Sequence, residues 1–137
     1  MPKKQTAVAL IPKTWLDAVI AILESGDSGK ILWTVTAQRD LTSVGLAFTY
    51  EACDLCLEVL RTPGLHGERI PDMIDRNDKT VCETWAFLCP HPSGGSSPIY
   101  VKIGLHQGRV LINFFSFHID RSGKLLKAIR KSSKTQP

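Results

Sequence analysis

The sequence predicts an α+β domain with helices in its first half and an antiparallel sheet in its second. Three helical patterns are followed by three strand patterns, and a last helical pattern closes the chain. Consecutive strands joined by short loops pair antiparallel, so this order favours an α+β fold over a wound α/β fold. We predict an antiparallel sheet with a C-terminal β-hairpin, packed by three to four helices.

Three helices are predicted before the sheet. The first covers about 14–25, where apolar residues recur at helical spacing. The segment 31–36 has strand propensity and also leads into a short second helix at 37–43, so both interpretations stay open. Thr49 can cap the third helix, which ends at the pair Pro63-Gly64.

The second half of the chain has the patterns of strands. Residues 64–80 are rich in Gly, Pro and Asp, which predicts a long irregular connection. A strand follows at about 80–89. Alternating residues at 99–106 and 109–117 predict the hairpin, and a basic amphipathic helix at about 123–131 closes the domain.

The length of the hairpin turn decides which side chains share a face of the sheet. A two-residue turn at Gln107-Gly108 places Tyr100 and Lys102 on the face opposite His118. A three-residue loop, His106-Gln107-Gly108, instead places Tyr100, Lys102, Ser116 and His118 on one face. The sequence leaves both registers open.

Length and composition are those of one globular domain. The chain has 137 residues, of which 43% are hydrophobic and 22% charged, a balance that argues against wholesale disorder. We predict a single domain over residues 1–137, with loose termini at 1–6 and 132–137. No apolar run reaches the ~18 residues that a membrane span needs, and the apolar stretch 7–12 is too short for a signal peptide. We expect a cytoplasmic protein with no membrane partner.

Four cysteines admit two interpretations: Cys53, Cys56, Cys82 and Cys89. The first pair has a spacing found in zinc sites, but the second pair is too far apart for a zinc knuckle. The first pair also falls inside a helical pattern, where buried thiols act as small apolar groups. We expect packed thiols, and neither a metal nor a cofactor.

Positive charge is concentrated at the C-terminus. Of the net charge of +4, residues 120–137 carry +5 and the rest of the chain −1. This segment is either a polyanion contact or a solvated helix that aids solubility. The residues that we expect to contact RNA are Arg121, Lys124, Lys127 and Lys131.

Side chains suited to RNA cleavage cluster around the predicted hairpin. Cleavage without a metal needs a base for the 2′-hydroxyl proton, a cation for the phosphate and an acid for the leaving 5′-oxygen. Tyr100, Lys102 and His118 could fill these roles, with His66 and Arg69 in the middle segment. Each of these residues also has an ordinary structural interpretation as a sheet or loop side chain in contact with water.

The hairpin resembles that of the MqsR toxins, bacterial mRNA interferases with a RelE-like α+β fold. The likeness is carried by Ile99-Tyr100-Val101-Lys102-Ile103, by Val110-Leu111-Ile112 and by Ser116-Phe117. A weaker likeness runs from Val44-Gly45-Leu46 into the third helix, and Trp85 matches the tryptophan strand of the family.

The resemblance implies a role for several residues. Tyr100 corresponds to the catalytic tyrosine of the family. The terminal catalytic lysine falls at His118 or near Ser116, depending on the alignment, and His66 or Arg69 lies closest to the middle lysine. Ala86 stands where the family has a glutamine. The resemblance also implies an antitoxin protein that masks the site.

Together these residues predict a toxin-like endoribonuclease that cleaves single-stranded RNA by metal-independent acid–base chemistry. In this hypothesis Tyr100 and His118 share the acid–base work, and Lys102 and Arg69 hold the phosphate. One alternative is a non-enzymatic nucleic-acid-binding or regulatory protein of the same fold, as Ala86 suggests. Another is a protein-interaction module whose hairpin edge pairs with a partner strand.

Overall fold

A computed structural model describes residues 7–74, 79–95 and 97–134, which form four helices and six strands. The elements are β1 (Ala7–Leu10), α1 (Lys13–Ser25), β2 (Ile31–Trp33), α2 (Val35–Ser43), α3 (Thr49–Leu60), β3 (His66–Ile74), β4 (Val81–Cys89), β5 (Ile99–His106), β6 (Ile112–Ile119) and α4 (Lys124–Lys134). The predicted α+β class is confirmed. The predicted loose segment 1–6 lies outside the described residues, whereas α4 continues to Lys134, beyond its predicted end.

All the strands belong to one sheet in the order β1-β3-β4-β5-β6-β2. Neighbouring strands are antiparallel except for β2, which pairs parallel to β6. The segment 31–36 therefore contains both of the structures considered for it, a three-residue strand and then the start of α2. The Thr34 hydroxyl caps α2 by accepting from the Ala37 N–H at 3.1 Å.

Helices α1, α2 and α3 form a hydrophobic core with one face of the sheet. Trp15 of α1 is almost fully buried there, together with Phe87 of β4 and Phe114 of β6. The indole N–H of Trp15 donates to the Glu83 carbonyl at 2.9 Å, so the buried tryptophan has a hydrogen-bond partner. Trp33 stacks on Phe114 with ring centroids 4.0 Å apart, which fixes the short edge strand β2 against the core.

Helix α3 begins where the sequence predicts, but a different residue caps it. The Glu51 carboxylate accepts hydrogen bonds from the backbone N–H groups of Ala47 and Phe48, at 3.0 and 2.9 Å. A carboxylate in the first turn also faces the positive end of the helix dipole. Glu51 therefore takes the capping role expected of Thr49.

Strand β3 corrects the prediction of an irregular connection over 64–80. Gly67 lies inside the strand. A glycine is needed there because a Cβ would be 2.5 Å from the Ala86 carbonyl oxygen and 2.8 Å from the Ile11 Cδ1. Pro71 lies within the register shift between Ile70 and Met73, where the ladder with β4 is interrupted. In the sequence both residues indicate a loop. In the structure Gly67 permits a close approach to β4, and Pro71 lies where no ladder hydrogen bond is required.

The hairpin β5–β6 has neither of the two predicted registers. Its strands end at His106 and restart at Ile112, so the connection covers 107–111 and is longer than either predicted loop. Lys102 pairs with Ser116 and Ile103 with Phe114, which leaves Phe115 as a bulge.

The last helix, α4, covers the second face of the sheet at β1, β3 and β4. Its Leu125 is buried, outside the core formed by the first three helices. Ala86 of β4 is fully buried. The same face remains open over β5 and β6.

The four cysteines are buried free thiols. Burial raises the pKa of Cys53 to about 11, which keeps it protonated. In the part of the chain that the structure describes, no three His, Cys, Asp or Glu side chains are grouped as metal ligands. Within 7–74, 79–95 and 97–134, no helix has the length and apolar character to cross a membrane.

Candidate functional site

Two adjacent rows of side chains cross the open face of the sheet. Tyr100 of β5 lies directly opposite His118 of β6, and Lys102 lies opposite Ser116. The second row continues from Lys102 through Ala86 of β4 to Glu68 of β3. We call the group of Glu68, Tyr100, Lys102, Ser116 and His118 the polar face.

Tyr100 is the centre of the polar face. Its hydroxyl donates to a Glu68 carboxylate oxygen at 3.2 Å. Burial raises the pKa of the phenol well above its ordinary value, and the charges of Glu68 and Asp120 raise it further. The phenol therefore stays protonated near neutral pH and is a hydrogen-bond donor there, not a base.

His118 stacks on Tyr100 with ring centroids 5.3 Å apart and ring planes at 19°. Its Nδ1 lies 3.0 Å from the Ile119 carbonyl oxygen. Since a carbonyl only accepts, Nδ1 carries the proton in this contact, and Nε2 of the neutral ring is left as an acceptor. The side chain is exposed, so an approaching hydroxyl group can reach this nitrogen.

Lys102 extends over the face of the tyrosine. Its Nζ lies 5.9 Å from the centroid of the Tyr100 ring, within the range of a cation–π contact. The side chain is half-buried, and burial lowers the pKa of its amine while Glu68 opposes this shift. This ammonium releases its proton more readily than one in water.

Two carboxylates lie beside these groups. Asp120 is 9% exposed and accepts from the Ser122 hydroxyl at 3.4 Å, whereas Glu68 bonds to Tyr100. Sequence reasoning missed Glu68 because it lies in the segment predicted as a loop. Gly67 is required by the close approach of β3 to β4, but in the sequence a glycine at this position indicates a loop.

The structure does not bring Arg69 to the polar face, which corrects the expectation that it holds phosphate with Lys102. Arg69 pairs in register with Trp85, whose side chain belongs to the core of the first three helices. The Arg69 guanidinium donates to the carbonyl oxygens of Ile70 and Thr84, at 2.5 and 3.1 Å. Arg69 thus bonds to the backbone near the β3 irregularity.

His66 lies on the same side of β3 as Glu68, because alternate residues of a strand share a face. Its Nδ1 is 3.0 Å from the Gly64 carbonyl oxygen. The contacts of its ring are therefore at the start of β3, and Glu68, not His66, meets Tyr100.

Helix α4 exposes its cations beside the polar face. Its buried residue Leu125 faces the sheet. Of the cations predicted to contact RNA, Lys124, Lys127 and Lys131 of the helix are exposed, and so is Arg121 just before it. They form a positive surface that is open to a polyanion.

Comparison of the chain with protein-family models, curated proteins and solved structures finds no match. The chemistry of the polar face is that of a base, a protonated donor and an ammonium within two adjacent rows of one rigid sheet. Such a set can take a proton from a hydroxyl group and donate to the oxygens of a phosphate.

Proposed function

We propose that this protein is a toxin-like endoribonuclease that cleaves single-stranded RNA by metal-independent acid–base chemistry. The observation that carries the proposal is the register of β5 and β6, in which Tyr100 and Lys102 share one open face with His118. The resemblance to the MqsR toxins adds a RelE-like fold and an antitoxin partner to the proposal.

In the proposed reaction His118 is the base. Its Nε2 takes the proton of a ribose 2′-hydroxyl, and the 2′-oxygen attacks the adjacent phosphorus. The bond from phosphorus to the 5′-oxygen breaks, which leaves a 2′,3′-cyclic phosphate. The 5′-oxygen takes a proton from the Lys102 ammonium, and exchange with water restores both side chains.

Tyr100 has a different role from the one first expected of it. Because its pKa is raised, the phenol keeps its proton and serves as a hydrogen-bond donor to a non-bridging phosphate oxygen. Glu68 holds the hydroxyl in place before the substrate arrives. The exposed cations of α4 attract the RNA backbone toward this face.

A second function is favoured by the two acids beside Tyr100. Glu68 and Asp120 oppose the approach of a phosphate, and Ala86 contributes no polar group to the row between Glu68 and Lys102. These residues suit a non-enzymatic protein that binds nucleic acid through α4. In that case RNA binding weakens steeply with salt and no product forms.

The two functions are separated by incubating the purified protein with a long RNA in EDTA. We expect cleavage by the wild type, and a rate that His118→Ala lowers by about a hundredfold or more because the base is lost. Tyr100→Phe should lower the rate by a similar factor through loss of a phosphate donor. The matched control is His91→Ala in the loop before β5, which should cleave like the wild type.

Equal cleavage by His118→Ala and the wild type would exclude this mechanism. Binding of RNA without cleavage by the wild type would support the second function. Cleavage that EDTA abolishes would contradict the metal-independent reaction.

A further inference from the structure

A cleft of about 540 Å³ opens directly beside the polar face. We call it the Phe115 cleft, and its main walls are Trp33, Thr34, Val35, Ile74, Lys102 and Phe115. Lys102 belongs to both regions, so the cleft is continuous with the polar face. Among the described residues that line the cleft, none is acidic.

The bulge in β6 provides the aromatic wall. Phe115 has no partner in the ladder. As a result, the residues on either side of it keep opposite faces: Phe114 stacks on Trp33 in the core, and Ser116 pairs with Lys102 on the polar face. A Cβ on Gly104 would lie 2.6 Å from the Cε2 atom of Phe115. The phenyl ring therefore lies over Gly104, where the absent side chain leaves it room.

The ring follows the proposed catalytic groups in an ordered series along β5. Alternate positions of a strand share a face and are about 7 Å apart. Tyr100 and His118 form the first row, and Lys102 and Ser116 the second. In the third row Gly104 pairs with Asn113, and the Phe115 ring lies over Gly104. An RNA chain whose cleaved phosphate lies beside Lys102 meets an aromatic surface one step further on.

We propose that the Phe115 cleft binds, by stacking on the phenyl ring, the nucleobase next to the phosphate whose 5′-oxygen Lys102 protonates. The mostly apolar walls suit a planar heterocycle, and the volume is within the range of small-ligand pockets. Every base has a π-face, so the contact accepts any sequence. Its place beside the cleaved bond rests on the proposed function, while the binding itself can be measured without cleavage.

The test uses a fluorescent single-stranded oligonucleotide in which 2′-deoxy sugars prevent cleavage. Phe115→Leu keeps an apolar side chain and removes the π-face, so we expect affinity to fall about tenfold. Phe115→Trp should bind at least as tightly as the wild type. The matched control is Phe48→Leu, at an exposed aromatic that stacks on Tyr50 in another part of the chain, and it should bind like the wild type.

An abasic oligonucleotide supplies the second measurement. If a base occupies the cleft, a chain without bases should bind the wild type and Phe115→Leu equally. Equal binding of the normal oligonucleotide by these two proteins, with thermal unfolding showing that both are folded, would overturn the proposal.

The proposed function and the cleft can fail separately. Affinity lost in Phe115→Leu when the wild type cleaves no RNA supports the cleft and contradicts the nuclease. Normal RNA cleavage with unchanged KM and affinity in Phe115→Leu supports the nuclease and contradicts the cleft.

Discussion

Strand β5 directs Ile99, Val101 and Ile103 to one face of the sheet and Tyr100 and Lys102 to the other. The first three are fully buried in the core formed with α1, α2 and α3. The other two are half-buried, and their contacts are a carboxylate, an imidazole and each other. The five residues 99–103 thus separate two kinds of environment by alternation.

The difference lies in what each face contributes to stability. A fully buried aliphatic side chain stabilises the fold by about 1.5–3 kcal/mol. Burial instead lowers the pKa of the Lys102 amine, which means that the folded chain stabilises its charge less well than water does. The charge of Lys102 therefore contributes less to the stability of the fold than the buried aliphatic side chains of the opposite face do.

The largest expected effect comes from truncating the core face. Phe87→Ala removes a fully buried ring and should lower the free energy of unfolding by about 3–5 kcal/mol. Lys102→Met keeps the length of the side chain and removes the charge, so it should leave stability unchanged or raise it while abolishing RNA cleavage. Urea denaturation measures the stability of both variants, and the RNA assay in EDTA measures cleavage by Lys102→Met. A Lys102→Met protein as destabilised as Phe87→Ala would contradict the division into two faces.

A smaller effect is expected at the strand that was predicted as a loop. In Gly67→Ala the new Cβ would clash with the Ala86 carbonyl and Ile11, which should lower the free energy of unfolding by about 1–3 kcal/mol. The control is Gly95→Ala, because the nearest atom to a Cβ there is 4.0 Å away. If the two variants unfold at the same urea concentration, β3 does not pack against β4 as described.

The hairpin and β3 also differ in how far their sequences predict them. Alternation of apolar and polar residues predicted β5 correctly, and the burial of the strand follows this period from Ile99 to Ile103. It could not predict the register, because the bulge at Phe115 depends on the room over Gly104. Strand β3 was missed because Gly67 and Pro71 indicate a loop in the sequence, whereas in the structure they fit the contact with Ala86 and the register shift with β4. Glu68 was missed with it. Local patterns predicted the elements, whereas contacts distant in sequence complete the candidate site.

The smallest expected effect concerns the phenol of Tyr100 at alkaline pH. Its folded pKa is raised above the ordinary value of 10.0 by burial, Glu68 and Asp120, so the folded chain keeps this proton longer than the unfolded chain. The stability associated with this proton is fully present below about pH 10 and is lost as the pH rises through the folded pKa. In Tyr100→Phe the decline should be shallower, so the difference between the two stability curves should change as the pH rises above about 10.

Urea denaturation at a series of pH values compares these curves, with Tyr50→Phe as the control. Tyr50 is 62% exposed and lies at the start of α3, so its variant should decline like the wild type. Every titratable group other than Tyr100 is present in both the wild type and Tyr100→Phe, so the difference between these two curves isolates Tyr100. Parallel curves for the wild type and Tyr100→Phe would mean that folding does not raise the pKa of the phenol. That result would contradict the burial and the Glu68 contact that position Tyr100 as a donor, while His118 and Lys102 would keep their proposed roles, because the faces they occupy depend on the strand register alone.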